Sequence, residues 1–80
     1  APNHTLIIPR EHLTSVSELG PEREAVAGRL LTTASRLARE KGLEETGYRL
    51  VANTGERAGQ SVFHLHVHLL GGRDFSWPPG

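Results

Sequence analysis

The most informative stretch of the sequence is His64-Leu65-His66-Val67-His68-Leu69-Leu70. Its histidines alternate with aliphatic residues, and successive side chains of a β-strand point to opposite faces of a sheet. The pattern therefore predicts a strand, taken to cover residues 62–70, with the three histidines on one face and Leu65, Val67 and Leu69 facing the core. The whole chain has only five histidines, so this spacing indicates a functional site.

Two more strands and one helix are predicted on the N-terminal side of this stretch. Residues 4–8 are rich in β-branched residues and stop at Pro9, and residues 47–53 alternate along a second strand. Residues 21–41 begin with a proline, carry apolar residues at helical spacing and stop at Gly42. The apolar helix face consists of Val26, Leu30, Ala34, Leu37 and Ala38. We expect an α+β fold, a mainly antiparallel sheet whose one long helix packs on the face opposite the histidines.

Composition excludes several classes of protein. The 80 residues carry nine basic and nine acidic side chains, so the net charge is zero and no basic excess is available to bind nucleic acid. No apolar run approaches the roughly 18 residues that cross a bilayer. The absence of cysteine excludes disulfides and thiolate metal sites, and it fits a reducing compartment such as the cytoplasm.

The small size of the chain predicts a need for additional packing surface. A chain of this length buries only about 60–65% of its unfolded surface, and only 36% of the residues are hydrophobic. We therefore expect a partner surface to complete the core. The first predicted strand begins almost at the first residue, and we expect a further segment of the domain to precede it.

Two chemistries compete for the histidine face. One is a metal site, because imidazole is a common zinc ligand. The α-carbons of the outer two triad histidines lie about 13 Å apart on a strand, whereas zinc needs each nitrogen within about 2.1 Å. Such a site would therefore use two of the three histidines together with His4 or His12.

The other chemistry is nucleophilic attack by histidine on phosphorus. An unperturbed pKa near 6.5 leaves imidazole mostly neutral at pH 7, and a neutral imidazole is a good nucleophile. Its second ring nitrogen must donate to an acceptor so that the attacking nitrogen carries the lone pair. His66 is the candidate nucleophile, since it has a histidine on either side to orient phosphate oxygens.

The segment before the histidine stretch suits the same chemistry. Gly55 and Gly59 let backbone N–H groups approach an anion closely. Asn53, Gln60 and Ser61 add neutral donors. A glycine-containing loop is by itself usually only a turn, but this one leads directly into the histidines. We therefore name residues 53–61 the candidate phosphate loop.

The HLHVHLL stretch resembles the signature of the histidine triad (HIT) superfamily, in which three histidines alternate with apolar residues. HTLIIPREH at residues 4–12 resembles the family strand and the loop after it. The run at 47–63 and the ending GGRDFSWPPG at 71–80 are similar to the Hint branch, the nucleoside phosphoramidases. The resemblance implies that residues 1–80 are a single HIT domain, the C-terminal portion of the family domain, without the family's N-terminal helix and hairpin.

The resemblance also implies an activity and a set of site residues. Hint-like enzymes hydrolyse purine nucleoside phosphoramidates through a nucleotidyl-histidine intermediate and release a nucleoside monophosphate. His66 matches the nucleophile, His64 the residue whose backbone carbonyl holds the nucleophile's ring, His68 the contact to the α-phosphate, and His4 a fourth histidine beside the triad. The phosphate and leaving-group contacts match Asn53, Gly59, Gln60 and Ser61.

Further implications concern partners and cofactors. The family resemblance implies a homodimer in which Trp77 approaches the active site of the partner subunit, although Trp77 and Phe75 could instead fold back on their own subunit. We expect a purine nucleotide of the AMP or GMP type as ligand, no required cofactor, no zinc, no nucleic acid, no membrane, and a cytoplasmic location. Two alternatives to the enzyme remain: a non-catalytic nucleotide-binding or interaction dimer, and a histidine metal-binding module.

Overall fold

The structure, a computed structural model, describes residues 1–80 and contains one three-stranded antiparallel sheet and one α-helix. The elements are β1 (Asn3–Ile7), α1 (Glu24–Glu40), β2 (Tyr48–Val51) and β3 (Val67–Gly71). The central strand is β3, with β1 on one side and β2 on the other. The α+β class with one long helix is therefore confirmed. The helix α1 lacks the length and apolar character needed to cross a bilayer.

The core lies between α1 and the sheet face that carries no histidine. On the helix, Leu30, Ala34 and Ala38 are buried, which confirms the predicted apolar face. Both alanines are 0% exposed, so the helix backbone lies close to the sheet. The buried apolar cluster consists of Ile7, Leu13, Leu30, Ala34, Ala38, Leu43, Leu65, Val67 and Leu69.

The sheet register determines which residues share the histidine face. Directly opposed residues of antiparallel strands point to the same side of the sheet. His4 of β1 is opposite Leu70 of β3, and Leu6 of β1 is opposite His68. Val51 of β2 is also opposite His68. His4 and His68 therefore lie on one face as diagonal neighbours, on the side of the sheet away from α1.

The prediction of a strand over 62–70 is wrong for its first half. The strand β3 begins at Val67. Before it, the Leu65 N–H donates to the Leu13 carbonyl at 2.6 Å, so this segment pairs with the loop after β1, which consists of residues 8–15. Burial nevertheless alternates along 64–70, with the histidines half-buried and Leu65 and Val67 buried. The two predicted faces are thus confirmed, although His64 and His66 precede β3.

The other boundaries shift by a few residues. The α-helix begins at Glu24, because Pro21–Arg23 form a 3₁₀ turn ahead of it. Gly42 follows the helix with a φ of +71°, a conformation that glycine adopts without strain. The first strand ends at Ile7, before Pro9, which has no N–H to donate to a sheet. The second strand occupies only Tyr48–Val51.

Candidate active site

All five histidines of the chain lie next to one another. The ring centroids of His66 and His68 are 5.0 Å apart, and those of His68 and His4 are also 5.0 Å apart. The ring centroids of His12 and His64 are 4.8 Å apart. The side chain of His66 contacts the backbone of His64. The five residues form a continuous series, here called the histidine row, in the order His12, His64, His66, His68, His4.

The hydrogen bond between His66 and His64 defines the tautomer of His66. The Nδ1 atom of His66 lies 2.7 Å from the backbone carbonyl oxygen of His64. A carbonyl oxygen only accepts hydrogen bonds, so Nδ1 carries the hydrogen. In the neutral ring, Nε2 then holds the lone pair. Of the two ring nitrogens, Nε2 is therefore the one with a lone pair that this hydrogen bond leaves available when the ring is neutral.

The ring of His64 is held by the loop after β1. Its Nε2 donates to the Pro9 carbonyl oxygen at 3.2 Å. The His12 ring packs against it edge to face, with an interplanar angle of 69°. From the sequence, His12 was only an alternative metal ligand, because it lies in an irregular loop that has no periodic signal. Its place in the row depends on the path of that loop.

His68 and His4 form a hydrogen-bonded pair. The His4 Nε2 atom lies 2.8 Å from His68 Nδ1, so one ring donates and the other accepts. Burial lowers the pKa of His68 below its usual value, and the electrostatic influence of the neighbouring His66 and His4 rings lowers this pKa further. His68 is therefore neutral at pH 7. With His4 as the donor, His68 carries its hydrogen on Nε2, where it can be donated to a phosphate oxygen.

We expect the depressed pKa of His68 to reduce folding stability in acid. The unfolded chain binds a proton at this residue more readily than the folded chain does, so the stabilisation is complete above the unfolded pKa of about 6.5. It is lost as the pH falls through the lower pKa of the folded state. Thermal unfolding from about pH 8 to pH 5 should show a flatter profile for His68→Gln, which does not titrate, than for the wild type. Equal slopes for the two proteins would contradict this assignment.

The candidate phosphate loop closes on itself. Glu56–Ala58 form a 3₁₀ turn between two glycines with positive φ, +85° at Gly55 and +93° at Gly59. The Gly59 N–H donates to the Glu56 carbonyl at 2.9 Å, and the Gly55 N–H donates to the side chain of Gln60 at 2.8 Å. In this structure the loop therefore does not present the two glycine N–H groups to an anion as predicted.

The remaining predicted donors of this loop differ in accessibility. Ser61 is exposed, and Asn53 is half-buried with its side chain beside Gly59. Gln60, in contrast, is only 5% exposed. Its Nε2 donates to the carbonyl oxygens of Thr14 and Val62, which uses both N–H bonds of the amide. Gln60 therefore has no free side-chain donor, unlike the neutral donor expected from the sequence.

The C-terminal tail is fixed to the sheet through Phe75. The guanidinium carbons of Arg49 and Arg73 lie 4.7 and 4.6 Å from the centre of the Phe75 ring. Arg49 also donates to the Ser76 carbonyl at 3.0 Å. Trp77, two residues beyond Phe75, remains 83% exposed. Of the two aromatic residues, Phe75 folds back on its own subunit, and Trp77 projects into solvent.

The alternative that the histidine spacing left open is a bound metal ion. No group of three or more histidine, aspartate or glutamate side chains is arranged to hold one. The histidines are arranged instead as neighbours along a line, joined by ring contacts and single hydrogen bonds.

Comparisons with known proteins cover almost the whole chain. The model of the HIT domain family matches residues 1–75. An uncharacterised HIT-like protein of Synechococcus elongatus is 50% identical over 80 residues, which are all of this chain and 69% of that protein. The purine nucleoside phosphoramidase of Escherichia coli K12 is 47% identical over 73 residues, which are 91% of this chain and 61% of that protein.

A solved structure extends the likeness to three dimensions. The crystal structure of a HIT family hydrolase from Legionella pneumophila matches with a TM-score of 0.96 at 45% identity. The match covers 100% of this chain and 71% of that one. Each of these relatives therefore contains a part that has no counterpart in the 80 residues described above.

Proposed function

Because this chain belongs to the HIT domain family, we propose that it carries the catalytic histidines of a nucleotide hydrolase that cleaves purine nucleoside phosphoramidates. The membership confirms the resemblance that the histidine stretch indicated. The relatives support hydrolase activity in general, since one is named a HIT family hydrolase and another a purine nucleoside phosphoramidase. The single observation that carries the finer proposal is the hydrogen bond from His66 Nδ1 to the His64 carbonyl.

The proposed reaction has two steps. The lone pair of His66 Nε2 attacks the α-phosphorus, a new N–P bond forms, and the bond from phosphorus to the leaving amine breaks. The amine takes up one proton from solvent as it departs, which leaves a nucleotidyl-histidine. Water then attacks the same phosphorus, the bond to His66 breaks, and the attacking water gives one proton back to solvent as the nucleoside monophosphate is released. Hydrolysis of the intermediate restores His66 to its starting tautomer.

The neighbouring residues are proposed to stabilise the charge that develops on phosphorus. Neutral His68 donates from Nε2 to a phosphate oxygen when His4 donates to its Nδ1. Exposed Ser61 and half-buried Asn53 supply further donors from the candidate phosphate loop. Removal of one such donor from an enzyme typically slows the reaction by about 10²–10³-fold. No step in this scheme uses a metal ion, and none is proposed as a cofactor.

The test is turnover of adenosine 5′-phosphoramidate by the intact protein. We expect release of AMP at a rate that is unchanged after exhaustive treatment with a chelator, because imidazole supplies the nucleophile. Binding of AMP without any turnover would favour the non-catalytic dimer. Loss of activity on chelation, with recovery on addition of zinc, would favour the metal-binding module instead.

We propose further that the partner of this chain is a second copy. An apolar groove of about 290 Å³ runs beside the edge strand β2. Its lining consists of Val16, Leu19, Ala27, Leu30, Leu31, Leu50, Val51, Ala52, Leu65 and Val67. One edge of β2 has no neighbouring strand, and such an edge pairs readily with another chain. A two-fold axis beside this edge would pair β2 with β2 of the second copy. The groove of each copy would then be covered by the apolar surface around the groove of the other copy.

The proposal also covers the position of Trp77 in the dimer and the cellular location of the protein. Trp77, exposed on a tail that Arg49 and Phe75 attach to the sheet, is proposed to lie at the rim of the active site of the second copy. We also propose that the protein is located in the cytoplasm, because its chain contains no cysteine.

A further inference from the structure

The side chain of Gln60 joins three separate segments of the chain. Its Oε1 accepts from the Gly55 N–H at 2.8 Å. Its Nε2 donates to the Thr14 carbonyl at 2.6 Å and to the Val62 carbonyl at 3.1 Å. The residue is 5% exposed, so these hydrogen bonds are shielded from water. A buried amide that loses such partners is destabilising, because its polar atoms remain unpaired.

Each of the three segments contributes to the candidate active site. Gly55 begins the turn of the candidate phosphate loop, and Val62 leads into His64. Thr14 belongs to the loop after β1, residues 8–15. Thr14 is itself held by Glu18, whose carboxylate accepts from both the backbone N–H and the hydroxyl of Thr14. Gln60 is therefore attached to a fixed point of the loop after β1.

The loop after β1 also holds the histidine stretch directly. The Pro9 carbonyl accepts from His64 Nε2 at 3.2 Å, and the Leu13 carbonyl accepts from the Leu65 N–H at 2.6 Å. The hydrogen bond from Gln60 to Thr14 is a third connection to the loop after β1, made by the segment that leads into the histidine stretch. Together they determine where the His64 carbonyl lies, and that carbonyl determines the tautomer of His66.

We propose that Gln60 is a positioning residue, which holds the candidate phosphate loop and the histidine stretch in register against the loop after β1 and does not bind the phosphate through its side chain. The inference rests on the proposed function for its effect on rate. The claim that Gln60 holds these segments together does not depend on the proposed function, since the hydrogen bonds are present without a ligand. Displacement of reacting groups by about 1 Å can reduce a rate by about 10²-fold, so a residue of this kind has a measurable effect.

The first test compares Gln60→Ala with Arg36→Ala, a variant of an exposed residue of α1, outside the candidate phosphate loop. We expect kcat/KM of Gln60→Ala to fall by about tenfold to a hundredfold, and that of Arg36→Ala to stay at the wild-type value. In the absence of substrate, hydrogen exchange at the Gly55 N–H should become faster only in Gln60→Ala. The ring-nitrogen NMR signals of His66 should change from one tautomer to a mixture in the same variant.

The second variant, Gln60→Glu, keeps the shape of the side chain and makes the defect depend on pH. An ionised carboxylate can still accept from Gly55 but faces the carbonyls of Thr14 and Val62 without a hydrogen to donate. The protonated acid regains one donor, so the rate of Gln60→Glu relative to wild type should rise as the pH is lowered from about 8 to 5.5. Division by the wild-type rate at each pH removes the pH dependence that the two proteins share. The charged neighbours Glu18, Glu56 and Arg57 are the same in both proteins.

The outcomes separate this inference from the proposed function. Faster exchange at Gly55 with an unchanged rate and unchanged His66 signals would overturn it, since Gln60 would then be structural only. A slower rate with unchanged exchange and NMR signals would also overturn it, since Gln60 would then contact the substrate. If the wild type has no phosphoramidase activity, the proposed function fails, while the exchange and NMR measurements still decide whether Gln60 positions His66.

Discussion

Replacement of His66 by alanine is expected to slow hydrolysis of adenosine phosphoramidate by more than about 10⁴-fold. The loss of a single acid or base group costs about 10²–10⁴-fold, and here the attacking atom itself is removed. The fold should persist, because His66 is half-buried on the face opposite α1 and makes its one hydrogen bond to the His64 backbone. Steady-state kinetics and a thermal unfolding curve of the same preparation measure the two effects separately.

Two further variants test whether the loss of rate in His66→Ala is caused by the missing imidazole ring. His66→Gly should recover part of its activity when free imidazole is added, because the small molecule can occupy the space of the missing ring. Arg36→Ala, on the exposed side of α1, should retain the wild-type rate. If His66→Ala kept a tenth of the wild-type rate, the covalent mechanism would be wrong.

Replacement of Leu31 by glutamate is expected to convert a dimer into a monomer. Leu31 is 57% exposed on α1 and lines the apolar groove beside β2. In a two-fold dimer, each substitution occurs twice, so two carboxylates would be buried in the apolar interface. We expect the dissociation constant to rise by at least about a hundredfold. Glutamate is a good helix former, so the protomer should remain folded.

The matched control is Thr32→Glu, which adds the same charge at the next position of the helix. Thr32 is exposed and does not line the groove, so this variant should remain dimeric. Sedimentation velocity or light scattering over a range of concentrations gives the dissociation constants. A wild type that stays monomeric, or a Leu31→Glu variant that dimerises as well as Thr32→Glu, would show that the second copy does not occupy this groove.

Much of the fold could be predicted because its determinants are local. The spacing of Leu30, Ala34 and Ala38 follows the period of the helix, and the alternation along 64–70 follows the period of an extended backbone. Both periods arise from backbone geometry within a few residues. The strand boundary at Val67 could not be predicted in the same way. It depends on whether a neighbouring strand is available, and before Val67 the neighbour is the irregular loop that contains Leu13.

The sequence by itself determined which face carries the histidines and, through the family signature, which of them is the candidate nucleophile. Only the tertiary structure decided which nitrogen of His66 is free, that His12 completes the histidine row, and that Gln60 is buried among backbone groups and not offered to a ligand. The hydrogen bond of His66 joins residues only two apart, but the other two features require contacts between residues far apart in the chain, Gln60 with Thr14 and His12 with His64. A periodic pattern specifies the direction of a side chain relative to its own backbone, but hydrogen-bond partners are chosen by the packing of distant segments.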